Sequence, residues 1–185
     1  IQLVEYIDDR NKIIKINIPQ PGRSPLKIAN LININKSYGN NLVYENLNLN
    51  IERGQKIALV GENGSGKSTL LKILAKNEKP SLGIVEYGPN VKAHYFAQHQ
   101  IESLDLNSTI YDTIFSISKG WTESQIRNYL GSFLFPKDNI QKKVKVLSGG
   151  EKSRLALARL LVEPVEFLLL DEPTNHLDAE SVSWL

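Results

Sequence analysis

Gly61-Glu62-Asn63-Gly64-Ser65-Gly66-Lys67-Ser68-Thr69 is the stretch on which the reading of this fold turns. It has the form G-x4-G-K-[ST]. The apolar run Ile57-Ala58-Leu59-Val60 precedes it, and Leu70, Leu71, Ile73 and Leu74 follow at helical spacing. Such a run suits a buried parallel strand over 56–60, and the leucine periodicity predicts a helix over 66–75. Strand, glycine-rich turn and helix is the context in which this motif binds phosphate. Glycine lets the backbone approach phosphate oxygens, and the N–H groups at the helix start make a concave anion site. All nine residues, from Gly61 through Glu62, Asn63, Gly64, Ser65, Gly66, Lys67 and Ser68 to Thr69, are candidate nucleotide-binding positions. Lys67 is suited to reach the β- and γ-phosphates, and the Ser68 hydroxyl to ligate Mg²⁺.

Upstream, 26–36 alternates apolar and polar residues and reads as a strand, Gly39-Asn40-Asn41 as a turn, and 42–51 as a second strand with Leu47, Leu49 and Ile51 on one face. Before them, 1–25 holds Pro19, Pro21, Gly22 and Pro25, a density that marks an extended connector. Downstream, Pro80-Ser81-Leu82-Gly83 breaks the chain, and 84–87 and 91–96 read as strands. Thr122-Glu123-Ser124-Gln125 fits a capping box, so 123–130 is expected to be helical inside an α-rich insert over about 108–146.

The second half of the site lies far along the chain. Phe167-Leu168-Leu169-Leu170 reads as a buried strand that ends at Asp171-Glu172. A carboxylate at the C-terminal end of a parallel strand faces the crevice where α/β sheets take ligands. Asp171 suits Mg²⁺, directly or through water, and Glu172 suits activation of an attacking water. Asp-Glu-Pro is also good turn chemistry, and it is the pairing with Lys67 that favours the catalytic reading. Between the two halves stands Leu147-Ser148-Gly149-Gly150-Glu151-Lys152, in which Ser148 opens a helix running to about 161. The N–H groups of Ser148, Gly149 and Gly150 and the Ser148 hydroxyl are expected to form a second anion site.

Composition bounds the possibilities. The chain has 185 residues, enough for one domain with a core. There is no cysteine, which excludes a disulfide framework and a thiol nucleophile and fits a reducing, cytoplasmic setting. No apolar run approaches the ~20 residues that span a bilayer. A formal charge of +2 neither demands nor excludes nucleic acid. The abundance of Asn, Ile and Lys fits AT-rich coding DNA.

These motifs, in this order, resemble the ATP-binding-cassette (ABC) ATPases. Four further features carry the resemblance. Tyr38 lies where the family's adenine-stacking aromatic sits, though it also fits a strand-end aromatic. Gln98, after Tyr95-Phe96-Ala97, lies where the family's Q-loop glutamine contacts Mg²⁺ and water, though it also fits a surface residue. Ser148, Gly149, Gly150 and Glu151 fall in the signature, which in the family serves ATP held mainly by a partner cassette. Asn175, His176, Leu177 and Asp178 follow the acidic pair as the family's D-loop does. The resemblance implies a P-loop NTPase of the ABC type: α/β, a mixed sheet with an antiparallel β lobe and a helical insert. It implies a cassette over 26–185 after the end of a linker over 1–25, with ATP and Mg²⁺ as ligands. Catalytic roles then fall to Lys67, Gln98 and Glu172, and metal contacts to Ser68, Gln98 and Asp171.

The wording is similar to the ABC-F subfamily, second cassette. Leu170-Asp-Glu-Pro-Thr-Asn-His-Leu-Asp178 has Asn175-His176 where transporter cassettes more often read serine-alanine. ABC-F proteins are soluble, carry two cassettes and mostly act on ribosomes, which implies a second cassette and ribosomal RNA as partners. A modest basic group, Lys137, Lys142, Lys143 and Lys145, suits RNA phosphates or simply a solvated loop. Two alternatives remain open: the nucleotide-binding subunit of a membrane transporter, and a DNA-associated ABC ATPase. The short spacing from Gln98 to Leu147 argues against the coiled-coil chromosome type. The chain starts at Ile1, lacks methionine and stops before the family's switch histidine. It is therefore expected to be an excerpt, incomplete at its C-terminus, and alone to be poorly stable and inactive. His176 reads as a loop residue rather than that switch.

Overall fold

A computed structural model describes residues 21–136 and 138–171, the side chains of Gln98 and His99 excepted. The linker expected over 1–25 lies mostly outside the described residues. The described chain divides into two compact units, one of 21–103 with 160–171 and one of 104–159.

In the first unit, alternation of apolar and polar residues produces a hairpin. β1 (Lys27–Tyr38) and β2 (Asn41–Glu52) run antiparallel from Lys27 opposite Glu52 to Tyr38 opposite Asn41. Gly39 supplies the positive φ, 57°, that the tight connection requires. β3 (Leu82–Tyr87) pairs antiparallel with the other edge of β1, giving the order β2-β1-β3. The β1–β2 register shifts between Leu31 and Ile34 and again toward Ser37. Asn33 and Asn46 both take φ 49° there, a region asparagine enters more readily than other side chains. Amides then satisfy the broken ladder: Asn33 N–H donates to Asn48 Oδ1 at 2.9 Å, and Asn46 N–H to Asn35 Oδ1 at 3.1 Å. The asparagines of this lobe thus have a structural use that composition does not reveal.

α1 (Lys67–Leu74) buries Leu70, Ile73 and Leu74, the i, i+3, i+4 stripe. They join Ile28, Leu31, Ile34, Ile51, Val91 and Leu169 in one core. α1 also packs on β4 (Ala93–Phe96) and β5 (Phe167–Leu170), a parallel pair in register from Ala93 opposite Phe167 to Phe96 opposite Leu170. The fold is α/β, with its antiparallel and parallel pairings in separate sheets among the described residues.

The strand expected over 56–60 is absent. The segment has no regular structure, Val60 is 94 % exposed and Ile57 49 %. A strand exists only through the N–H and C=O groups of a neighbour, and no described strand flanks this segment. The strand expected from 91 begins at Ala93 instead: the Val91 N–H closes a turn on the Gly88 carbonyl at 3.3 Å, and the Lys92 N–H donates to the Glu166 carboxylate at 3.1 Å.

The second unit is helical: α2 (Ile110–Phe115), α3 (Glu123–Ser132) and α4 (Gly149–Leu160, whose last residue belongs to the first unit). The capping box at Thr122 and Gln125 is formed, and a second one closes α2 through Thr109 and Asp112. Ile110, Ile114, Ile126, Leu130, Ile140 and Leu155 are fully buried. The Tyr129 ring lies 5.0 Å from those of both Trp121 and Phe133, and its hydroxyl donates to the Ala158 carbonyl at 2.7 Å.

Candidate functional site

Gly66 sets the shape of the loop. It is the N-cap of α1 at φ 95°, ψ 0°, a left-handed conformation that disfavours any side chain. A Cβ there would also lie 2.6 Å from Val43 Cγ1 and 2.7 Å from the Tyr44 hydroxyl oxygen. The Gly66 carbonyl accepts from Leu70 N–H at 2.9 Å and from the Tyr44 hydroxyl at 2.5 Å, so β2 pins the start of the helix. α1 has no side-chain cap and no acidic residue in its first turn. Its first N–H groups and the positive end of its dipole are therefore left for an anion. Lys67 Nζ donates to the carbonyls of Gly61 and Glu62 at 2.8 and 2.7 Å and so spans the loop. Ser65 N–H closes a turn on the Glu62 carbonyl at 3.2 Å. Tyr38, Asn63, Gly64, Gly66, Lys67, Ser68 and Thr69, with Asn41 and Val43 of β2, line one open cleft of about 280 Å³. Gly61, Glu62 and Ser65 shape the loop from outside that lining.

Ser68 and Asp171 meet across 103 residues of sequence: the hydroxyl donates to Asp171 Oδ1 at 2.9 Å. The other oxygen, Oδ2, accepts the Tyr95 hydroxyl at 2.7 Å. Burial, and then the adjacent Asp171, push the Tyr95 phenol well above its ordinary range. Ser68 and Asp171 offer only hard oxygen donors, as Mg²⁺ requires. Mg²⁺ commonly takes one or two carboxylates and completes its shell with phosphate and water, so the pair fits that ion.

Tyr38 closes β1 at the cleft, 47 % exposed. Lys36 Nζ lies 4.7 Å from its ring centroid, within cation–π range, and pairs with Glu78 Oε1 at 2.7 Å. The ring is thus backed from within the protein while remaining part of the cleft wall.

The signature differs from expectation in one respect. Ser148 N–H donates to Glu151 Oε2 at 2.8 Å, and Glu151 N–H to Ser148 Oγ at 3.2 Å. This reciprocal capping box consumes the Ser148 N–H that was expected to bind an anion. The Gly149 and Gly150 N–H groups and the Ser148 hydroxyl proton remain. Ser-x-x-Glu ahead of an apolar run was readable in the sequence as such a box. Nothing local in the sequence marked Tyr44, Tyr95 or Lys36, which reach the site only through strand pairing. Glu172, Asn175, His176, Leu177 and Asp178 lie outside the described residues, as do Lys137 and the side chain of Gln98. Gln98 itself begins a short 3-10 turn one residue past β4.

The profile of the ABC transporter family matches residues 44–175. The ABC transporter F family member 5 of Arabidopsis thaliana is 44 % identical over 177 residues, 95 % of this chain and 26 % of that protein. Protein GCN20 of Saccharomyces cerevisiae is 36 % identical over 178 residues, 96 % of this chain and 24 % of that protein. The chain thus spans about a quarter of the length of these relatives. Among solved structures, the ATP-binding cassette MJ0796, a dimer in a post-hydrolysis state bound to ADP and Pi, superposes with a TM-score of 0.65. It is 27 % identical, with 84 % of this chain and 78 % of that chain covered.

Proposed function

The chain belongs to the ABC transporter family, as an ATP-binding cassette whose relatives include an F-family member, and from that premise we propose that it binds and hydrolyses ATP as half of a paired-cassette machine working on the ribosome. The observation that carries the chemistry is the Ser68–Asp171 contact at 2.9 Å. It joins the phosphate loop to the acidic strand end in one place, which is what phosphoryl transfer to water needs.

Lys67 and the uncapped start of α1 stabilise charge on the phosphates, the largest contribution such a site makes. Ser68 and Asp171, with Gln98, would hold Mg²⁺, which supplies charge neutralisation on the phosphate oxygens. Glu172 and Gln98 orient the attacking water, and Glu172 accepts its proton. Tyr38 stacks on the base at the opposite end of the cleft. The signature, Ser148 to Gly150 with Glu151 as its helix cap, serves a nucleotide bound by a second cassette. Asn175, His176, Leu177 and Asp178 belong to the same interface as a D-loop. The solved dimer of a cassette with ADP and Pi supports pairing. The F-family relative and the Asn175-His176 wording support the F-subfamily reading on which the ribosomal task in the cytoplasm rests. No helix among the described residues is long and apolar enough to cross a membrane.

Equilibrium nucleotide binding and steady-state turnover of the intact protein carrying this cassette test the proposal. Lys67→Ala is expected to weaken ATP binding at least about tenfold. Glu172→Gln is expected to retain binding and lose about 10²–10⁴-fold in turnover. Unchanged affinity in the first variant, or normal turnover in the second, overturns the assignment.

A further inference from the structure

Tyr38 is 47 % exposed and forms part of the wall of the cleft that the phosphate loop also lines. A half-exposed ring at a strand end has rotamer freedom, and a ligand that stacks on it bears the cost of ordering it. Here the ring is ordered beforehand. Lys36 Nζ lies over it at 4.7 Å from the centroid, and Lys36 itself does not line the cleft. An ammonium has three N–H donors. Two go to Glu78 Oε1 at 2.7 Å and to the Lys79 carbonyl at 2.9 Å. The ammonium cannot leave the ring without breaking both, and the first joins two charges. The Lys36 side chain is only 9 % exposed, and a cation–π contact strengthens as the cation loses water. The Glu78 carboxyl is held low first by the hydrogen bond from Lys36, with a smaller contribution from the Tyr38 hydroxyl.

The anchor of Lys36 belongs to the helix that starts at the phosphate loop. Lys72 stands in the last turn of α1, and its carbonyl accepts the N–H groups of Asn77 and Glu78 at 2.9 and 3.2 Å. One end of α1 thus presents open N–H groups to the cleft, and the other holds the carboxylate that fixes Lys36 over the ring. The eight residues of α1 make a rigid spacer of about 12 Å. We propose that Lys36, anchored by Glu78, is a positioning residue that presets the Tyr38 ring for the nucleotide base, with α1 as the common reference for the base and phosphate ends of the cleft. The inference rests on the reading of Tyr38 as the base-stacking residue.

The test compares the affinity of this cassette, within the intact protein, for a non-hydrolysable ATP analogue and for inorganic tripolyphosphate, which has no base. Lys36→Met keeps the aliphatic stem and removes the ammonium. The expected result is an unchanged affinity for tripolyphosphate and a fall of about threefold to tenfold for the analogue, the scale of one desolvated cation–π contact. An unchanged ratio of the two affinities overturns the inference. So does an equal fall in both, because a general loosening of the lobe moves them together. Glu78→Gln leaves the ammonium and weakens its anchor, so the ratio is expected to fall by a smaller factor of about two; if Lys36→Met does not fold, this variant decides alone. Tyr38→Ala separates the two levels of the argument. If it keeps the wild-type ratio, Tyr38 does not meet the base and the inference falls with that reading. If it lowers the ratio while Lys36→Met does not, the role of Lys36 alone is wrong. In the Tyr38→Ala background Lys36→Met is expected to change the ratio no further. A second fall of the same size would mean that Lys36 acts on the nucleotide without Tyr38, which also overturns the positioning role.

Discussion

Lys36 shows how a single residue ties the stability of the β lobe to the nucleotide cleft. Its side chain is nearly buried on β1, and an ammonium in that position needs a partner. It finds Glu78 Oε1 at 2.7 Å, the Lys79 carbonyl at 2.9 Å and the face of Tyr38. The hydrogen bond from Lys36, reinforced by its charge, holds the Glu78 carboxyl below its ordinary value of 4.5. A lowered carboxylate pKa contributes stability that is fully present above the unfolded value and lost as pH falls through the folded one. Glu78→Gln is therefore expected to be less stable than the wild type near neutral pH, with the gap closing as the pH drops below about 4.5. Denaturation midpoints at several pH values check this. A gap that is constant with pH would mean that ionisation of Glu78 does not carry the difference. Tyr44 is a comparable case on β2: its hydroxyl fixes the Gly66 carbonyl, and burial raises its pKa.

At the scale of the element, the α-helices among the described residues fall into two kinds according to what satisfies their first N–H groups. α2, α3 and α4 are closed by their own side chains, through Thr109 with Asp112, Thr122 with Gln125, and Ser148 with Glu151. α1 begins with a left-handed glycine and no cap. A side-chain cap satisfies first-turn N–H groups from within the chain, whereas the start of α1 leaves its own open to an anion. Thr122→Ala is expected to cost about 1 kcal/mol, read as a lower urea midpoint at unchanged slope. A neutral result would show that packing of Ile126, Tyr129 and Leu130 holds α3 without its cap. The same scale explains the failed expectation over 56–60. An apolar run states a preference for burial, but a strand also needs a hydrogen-bonding neighbour, and none of the described strands supplies one.

At the scale of the whole molecule, the site is assembled from distant pieces. The loop at 61–69 and the carboxylate that meets it are separated in sequence by the whole 104–159 helical unit. The signature run, Leu147 to Lys152, belongs to that unit. Two cassettes closing on ATP is the arrangement proposed above. A variant that binds without hydrolysing should then hold its target longer. The intact protein with Glu172→Gln is expected to co-sediment with ribosomes in ATP but not in ADP. Co-sedimentation with membranes instead would favour a transporter subunit, and the absence of any ATP-dependent partner would remove the ribosomal reading.

Much of this protein was legible in its residues alone. The loop at 61–69, the hairpin of β1 and β2, the helix α1, the strand ending at Asp171 and the Thr122 box all follow from local rules: glycine where φ is positive, apolar residues at periods of two or 3.6, and side chains that cap the turn beside them. Such features were readable because each depends on neighbours in sequence. Tertiary structure alone decided the rest. It determined that Tyr95 and Ser68 take opposite oxygens of Asp171, that Tyr44 pins the loop, that Lys36 backs Tyr38, and that 56–60 is not a strand. Those outcomes depend on strand register and on hydrogen-bond partners far along the chain, which no local pattern specifies.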